Sequence, residues 1–485
     1  MPSFPTRRAY GILPVIVLHW LLQASVASAQ SAPESADHPW RTSAELQIEN
    51  DARGLPGSTF HIDTAKIYSL PELIDLAEAH NPATYASWER ARAQAATLGI
   101  TRSELFPALA AAAASQTTRQ EILFGNRFNG QVIQDFQLAL ELNYTILDFG
   151  GRSGRINAAS AQLLAANFAF NNSHRNVIYQ VQRAYYSLLN SMGQEDAARA
   201  SLANATAVQQ AAEDRLAHGL ATLPDVLEAR SATAQADYDL QAVLGSEEIA
   251  RGDLATAVGA SATTAIQVQP LDQVPTPESI DDTVEQAIDR ALGQRPDLMR
   301  QVSEIRSATA RVKEARAAYY PVLNLTASPA IPSFYGLQSP YPWTHTADLT
   351  GTLAFNLTWV VFDGGARKSR LAEAQANVLG AEAQANVARN RIADEVWTAY
   401  SNLNTAFRQH QAAIALFQAA AQSYNAALES YNYGVRNLLD VTAAQRTLAQ
   451  ARSADVSAQT RVLTSLADLA FRTGDSLGAN TRPRP

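Results

Sequence analysis

Side chains able to do chemistry are thinly spread along this chain of 485 residues, and where they gather they flank glycines at two turns. Thr222-Leu223-Pro224-Asp225 follows Gly219, with Glu228 just beyond, and Asn437-Leu438-Leu439-Asp440 follows Gly434, with Tyr431 and Arg436 on either side of that glycine. A carboxylate, a phenol and a guanidinium so placed can make charge-assisted hydrogen bonds or attract cations. Both tetrapeptides also have the form of a helix-capping box with the acid at the third helical position. Reactive constellations are missing. Cys is absent, none of the eight His residues forms a His-x-x-x-His cluster, and there is no Gly-x-Ser-x-Gly. Asp148-Phe149-Gly150 echoes a protein-kinase tripeptide without the phosphate and catalytic loops that would go with it. The sequence predicts no enzyme activity, no cofactor and no metal centre.

Two long elements must position those turns. From Phe136 to Ile146 apolar and polar residues alternate, which predicts a strand with one greasy and one wet face. Asp148-Phe149 and the pair Gly150-Gly151 follow, and then a Pro-free, Ala-rich run from Arg152 to His218 that predicts a helix roughly 100 Å long. The same junction recurs: a strand over Leu349 to Trp359, then Gly364-Gly365, then a Pro-free run from Ala366 to Tyr433. Laid over itself the chain repeats with Pro82 on Pro296 and Pro107 on Pro321, a shift of 214, and with Gly219 on Gly434 and Asp225 on Asp440, a shift of 215. A duplicated architecture is the simplest account. Its expected parts are residues 68–260, a linker over 261–295 and residues 296–472, preceded by a segment over 30–67 and followed by a tail over 473–485.

Each half reads as helices, strand, loop, strand, long helix, turn and return helix. Pro82 and Pro296 open helices that should end near Phe106-Pro107 and Tyr320-Pro321. Short strands follow at Leu109 to Ser115 and Leu323 to Ser328, and the Gly-, Asn- and Pro-rich stretches Thr118 to Ile133 and Ile331 to Thr346 read as exposed loops. Val177, Val181, Ala184, Leu188 and Met192 form a coiled-coil seam, repeated as Ile392, Val396, Ala399, Leu403 and Phe407 and continued through Ile414, Phe417, Ala421, Tyr424, Leu428 and Tyr431. Taken alone, these helices suit a soluble periplasmic coiled coil equally well.

The strands speak for a membrane. About ten residues with one continuous apolar face match a segment that crosses an outer membrane, yet four strands cannot close a barrel. Open edges in lipid cost several kcal/mol per unpaired group, so chains should combine. Two chains give eight strands, whose interior side chains fill; three give twelve, which leaves room for a channel, so a homotrimer is expected. Trp343 and Trp359 fall near the ends of the apolar band. Residues 1–29 read as an export signal, with Arg7-Arg8, an apolar core from Gly11 to Leu22 and Ala27-Ser28-Ala29 as cleavage site. The formal charge of −8, and −10 without that segment and its two arginines, argues against nucleic acid as a partner.

The duplicated half, the bends Asp148-Phe149-Gly150-Gly151-Arg152 and Phe362-Asp363-Gly364-Gly365-Ala366-Arg367, and the turns at Gly219 and Gly434 together resemble the TolC-like outer-membrane efflux proteins, over about residues 68–474. That resemblance implies a mainly α fold with a small β part: antiparallel coiled-coil helices in an α-barrel, and four strands per chain in a shared twelve-stranded transmembrane barrel. It implies a passive trimeric duct for a tripartite efflux or type I secretion system, standing in outer-membrane lipid and partnered by a periplasmic membrane-fusion adaptor and an inner-membrane pump of RND or ABC type. Matching positions make Asp225, Tyr431 and Arg436 the periplasmic gate, Asp440 an acidic ring facing the lumen, Gly150, Gly151, Gly364 and Gly365 the hinges, and Gly219 and Gly434 the tip turns. Ala443 stands where many relatives carry a second acid, and Glu228 could restore that charge from the other turn. A coiled-coil scaffold or adhesin without a channel is the alternative, and it accounts for the helices only.

Overall fold

The computed structural model describes residues 43–54, 60, 62–277, 279, 283–338 and 343–475; the expected export signal lies outside them. The chain divides into two units, Met1–Thr59 and Phe60–Pro485. The first contributes one described helix, α1 (Ser43–Arg53), amid the segment expected over 30–67.

In the second unit the elements pair off in length. Helices α2 (Leu70–His80) and α3 (Pro82–Ser103) lead to strands β2 (Ala108–Phe124) and β3 (Arg127–Leu147), then to α4 (Gly151–Ala217) and its return helix α5 (Leu223–Val258). Helices α6 (Val284–Gln294) and α7 (Pro296–Ala317) lead likewise to β5 (Val322–Gln338), β6 (Thr344–Ala347) and β7 (Thr350–Thr358), then to α8 (Ala366–Asn432) and α9 (Leu438–Thr473). Both long helices have 67 residues and both return helices 36. Two short strands, β1 (Ile67–Tyr68) and β4 (Gln267–Val268), pair in parallel beside the first helical group.

The core is a set of seams between helices. Val177, Val181 and Leu188 of α4 are buried against Leu73 and Ala77 of α2 and Leu254 and Val258 of α5; Ile392, Val396 and Leu403 of α8 are buried with Ala287 and Ala291 of α6 and Val462 of α9. Farther along α8 the expected seam slips. Ile414 is 40% exposed, and Ala413 and Ala420 are buried instead. A straight α-helix drifts by about 20° per heptad against a 3.5-residue repeat, so an extrapolated seam rotates off the contact by roughly one residue. Where α4 and α8 pass the ends of the shorter helices, each half closes on a backbone carbonyl. Asn81 Nδ2 donates to the Ala257 carbonyl at 2.9 Å, and Arg295 Nη1 donates to the Arg472 carbonyl at 3.4 Å. Arg295 is almost wholly buried, and Asp297 at 2.7 Å and Glu395 at 2.8 Å neutralise it.

The sheet corrects the expected loops. Residues 118–133 are mostly strand: β2 and β3 pair from Ala108↔Asn143 to Phe124↔Arg127, leaving only Gly125-Asn126 as a turn. Gly125 has φ 65°, the positive angle that a two-residue hairpin asks of its first central residue. In the second half β5 runs to Gln338 and β6 lies against it, so residues 331–338 and 344–346 are strand too. Polar composition suggested loops here, but each added rung of an antiparallel ladder satisfies two backbone groups whatever the side chains. The order is β2-β3-β5, with β6 and β7 laid end to end along β5, and among the described residues β2 and the β6–β7 line have no partner on their outer side. Rows such as Leu109–Leu142–Ala327–Leu353 make one apolar face, left exposed in the single chain, and Thr145 bonding Asn324 at 2.9 Å marks the polar one.

Strand becomes helix at two left-handed steps. Gly364 and Gly365 have φ 65° and 89°, whereas in the first half the two positions are Phe149 at φ 50° and Gly150 at φ 97°. Gly151 is therefore not half of the bend: it is the first residue of α4 and corresponds to Ala366. Phe149 takes its uncommon conformation with its ring stacked on Tyr320 at 5.1 Å. Replacing Gly365 by Ala should cost about 1 kcal/mol, and by Val up to about 3, because only Gly takes positive φ without steric cost. Denaturant unfolding of the detergent-solubilised protein measures this, and an unchanged midpoint for both variants would show that the angle is not required.

Candidate functional site at the helix tips

Each long helix ends in the same way, and the ending places the polar residues. Gly219 N donates to Leu216 O at 2.9 Å and Leu220 N to Arg215 O at 2.8 Å; Gly434 N donates to Tyr431 O and Val435 N to Ser430 O, both at 2.9 Å. These paired bonds close a helix around a left-handed residue, and Gly219 and Gly434 supply it at φ 73° and 76°.

The return helices then start on caps. Thr222 and Asp225 form the full reciprocal box, with Asp225 Oδ2 accepting from the Thr222 amide at 2.8 Å and from its hydroxyl at 2.7 Å. The second turn has half of it. Asn437 Oδ1 accepts from the Asp440 amide at 2.9 Å, and the Asp440 carboxylate is left exposed. The capping form is thus seen in both turns, complete only in the first. The Thr222 hydroxyl and amide hold the Asp225 carboxyl below its ordinary value of 3.8. A carboxyl lowered in the folded state stabilises fully above its unfolded value and loses that contribution as pH falls through the lowered one.

The four helix ends share one core: Val208 and Ala212 of α4, Val226 and Ala229 of α5, Tyr424, Ala427 and Tyr431 of α8, and Leu438 and Val441 of α9. Tyr431 is only 5% exposed, and its hydroxyl is buried with no partner in the single chain. Burial pushes its phenol up, the nearby Asp225 charge adds to this and Arg215 opposes it. Arg436 is exposed at the tip, and Glu228 bonds Arg446 of α9 at 3.3 Å. Within one chain the structure brings Asp225 near Tyr431 but makes no hydrogen bond among Asp225, Tyr431 and Arg436.

Sequence reasoning missed two sets of residues. At the hinges, Asp148 Oδ2 accepts from the Arg152 amide at 2.5 Å and Asp363 Oδ2 from the Arg367 amide and Nε at 2.9 Å, while Arg152 and Arg367 reach back to the Ile146 and Val361 carbonyls. The signal was an Asp-x-x-x-Arg repeated at the 215-residue shift. At the tip, Arg215 of α4 lies against Tyr431, and nothing in the repeat pointed to it, since Ser430 stands at the matching place.

The structure thus joins a strand-borne apolar face through sharp bends to long helices with capped tips. A family model described as outer membrane efflux protein matches residues 73–260 and 287–475. Protein CyaE of Bordetella pertussis is 30% identical over 419 residues, covering 82% of this chain and 83% of its own length. Outer membrane protein OprJ of Pseudomonas aeruginosa is 26% identical over 478 residues, 95% of either chain. Among solved structures, a membrane protein from Pseudomonas aeruginosa has a TM-score of 0.75 at 25% identity, covering 84% of this chain and 91% of that one; CusC has 0.74 at 17% identity, covering 87% and 96%. The chain belongs to the outer membrane efflux protein family. It is a channel protein of the Gram-negative outer membrane and not an enzyme.

Replacing Thr222 by Ala should cost about 1 kcal/mol by removing half of the box. Amide exchange at residues 222–226, corrected for intrinsic rate, should rise in this variant at neutral pH and, in the natural protein, only as pH falls below the ordinary Asp range. Equal protection in the two proteins at neutral pH would show that the box contributes nothing.

Proposed function

We propose that three copies of this chain form the exit duct of a tripartite efflux or type I secretion system, with a shared twelve-stranded barrel in outer-membrane lipid and a periplasmic helical tunnel below it. One observation carries the reading: the sheet has an exposed apolar face and two outer strands without partners among the described residues, which lipid would penalise unless other copies closed the ring. Its expected parts are the export signal over 1–29, a belt drawing on 30–67, 261–295 and the tail 473–485, and the two working units 68–260 and 296–472.

The tunnel rests closed at its periplasmic tip. Asp225, Tyr431 and Arg436 make the closure, Tyr431 beside Asp225 within one chain and the exposed Arg436 reaching Asp225 of a neighbouring copy, and a periplasmic membrane-fusion adaptor with an inner-membrane pump of RND or ABC type parts them. Exposed pairs contribute only about 0.2–1 kcal/mol each, but threefold symmetry repeats them into a usable closure. Asp440, and Glu228 where Arg446 does not neutralise it, give the narrow end its preference for cations.

Light scattering with the detergent subtracted should return a trimer, and a monomer or dimer as sole species would rule out the shared barrel. In planar bilayers Tyr431→Phe with Arg436→Ser should raise conductance at unchanged trimer yield, while Asp440→Ala should weaken cation selectivity and block by multivalent cations. Wild-type conductance in the double variant would remove the closure assignment.

A further inference from the structure

Arg215 is built into the tip in a way that neither the capping logic nor the symmetry of the two halves requires. Its Nη1 donates to the carbonyl of Tyr431 at 2.9 Å and to that of Asn432 at 3.2 Å, and its guanidinium carbon lies 4.6 Å from the centroid of the Tyr431 ring. Those carbonyls belong to the last turn of α8, where helix carbonyls lack partners and the helix dipole favours a cation. The Tyr431 carbonyl takes a second bond from Gly434 N at 2.9 Å, so both its acceptor sites are used. One cation on α4 thus serves as the C-terminal cap of a different helix: one guanidinium nitrogen, Nη1, spans both carbonyls and the guanidinium lies over the ring, while Nε is buried without a partner. The reciprocal bond does not exist: Ser430, at the matching place on α8, is too short to reach the end of α4.

Resting on the reading of the chain as a channel closed at this tip, we propose that Arg215 is an in-chain clasp, which fastens the turn carrying Tyr431 and Arg436 to the end of α4. While it holds, the second turn cannot swing from the closed position without uncapping α8 and exposing the Tyr431 ring. The clasp uses the carbonyl and the ring face of Tyr431 and makes no bond to its hydroxyl. It therefore acts separately from any bond of that hydroxyl across the trimer. It also makes the two turns inequivalent, because the first is held by its own capping box and the second by a residue borrowed from the first hairpin.

The test uses the full-length assembled protein in planar bilayers, with natural protein, Arg215→Ala, Arg215→Gln and the Tyr431→Phe, Arg436→Ser double variant side by side. Arg215→Ala should raise mean conductance several-fold at unchanged trimer yield. It should also raise it further when added to the double variant, because the two contacts are independent. Amide exchange at Gly434 and Val435 should quicken in Arg215→Ala and stay at the natural rate for Tyr431→Phe alone, a split that a general loss of stability would not produce. If the alanine variant fails to assemble, Arg215→Gln decides, since it retains one donor but loses the charge and the ring contact. An assembled Arg215 variant that conducts like the natural protein overturns the clasp, and if the double variant conducts more in the same experiment, the proposed closure survives without it.

Discussion

Everything in this molecule depends on turning a backbone from a sheet ladder into a helix within a few residues, twice. The turn has to be sharp and reproducible, because a helix of 67 residues magnifies any angular error at its start into a large displacement at its end. The solution is a pair of left-handed residues under a carboxylate that bonds the amide four residues later, Asp148 with Arg152 and Asp363 with Arg367. The same arginines reach back to strand carbonyls and so hold the strand end against the helix start. Burial would raise the Asp363 carboxyl, yet the Arg367 amide and guanidinium hold it below its ordinary value. Glycine permits the bend and the ion pair fixes its direction.

Much of this was legible in the sequence, because punctuation survives duplication. Proline at helix starts, glycine at helix ends and the long Pro-free runs placed both long helices to within about one residue, and the repeat lent each half the confidence of the other. What failed to show was whatever composition hides. Residues 118–133 look like loop because they are polar, and they are strand because a ladder needs only backbone. Phe149 did not announce a positive φ, since a non-glycine residue rarely adopts one and its reason, the Tyr320 ring, lies far away in sequence. Arg215 was invisible for a related reason: a basic residue in a last helical turn is an ordinary partner for its own helix, and only the packed structure shows that it caps another.

The two halves are copies in outline and differ where they are polar. At the inner ends of the helices a neutral amide, Asn81, does in one half what the buried cation Arg295 does in the other, and the cation brings Asp297, Glu395 and Arg472 with it. Arg175 lies in the same neighbourhood, bonded to the Phe471 carbonyl; burial, with Arg295 and Arg472 nearby, pushes its guanidinium down to about 10. Apolar seams tolerate drift between duplicated halves, since volume and spacing are enough to keep them. Buried charges do not, because each must be matched by a specific partner. Polar sites are therefore where such copies become distinguishable.

The first hairpin has a further consequence for the sheet. Strand β3 is 21 residues long, about 70 Å at the usual rise, whereas the apolar stretch from Phe136 to Ile146 needs only about half of that. The remainder stands clear of the greasy band as a laddered ribbon, and it is finished by a turn of just two residues, Gly125-Asn126. A ribbon so fully bonded is stiff, and a turn so short has nothing to fold over as a lid. At this hairpin the sheet therefore ends in a fixed rim, and whatever moves in the molecule has to move elsewhere.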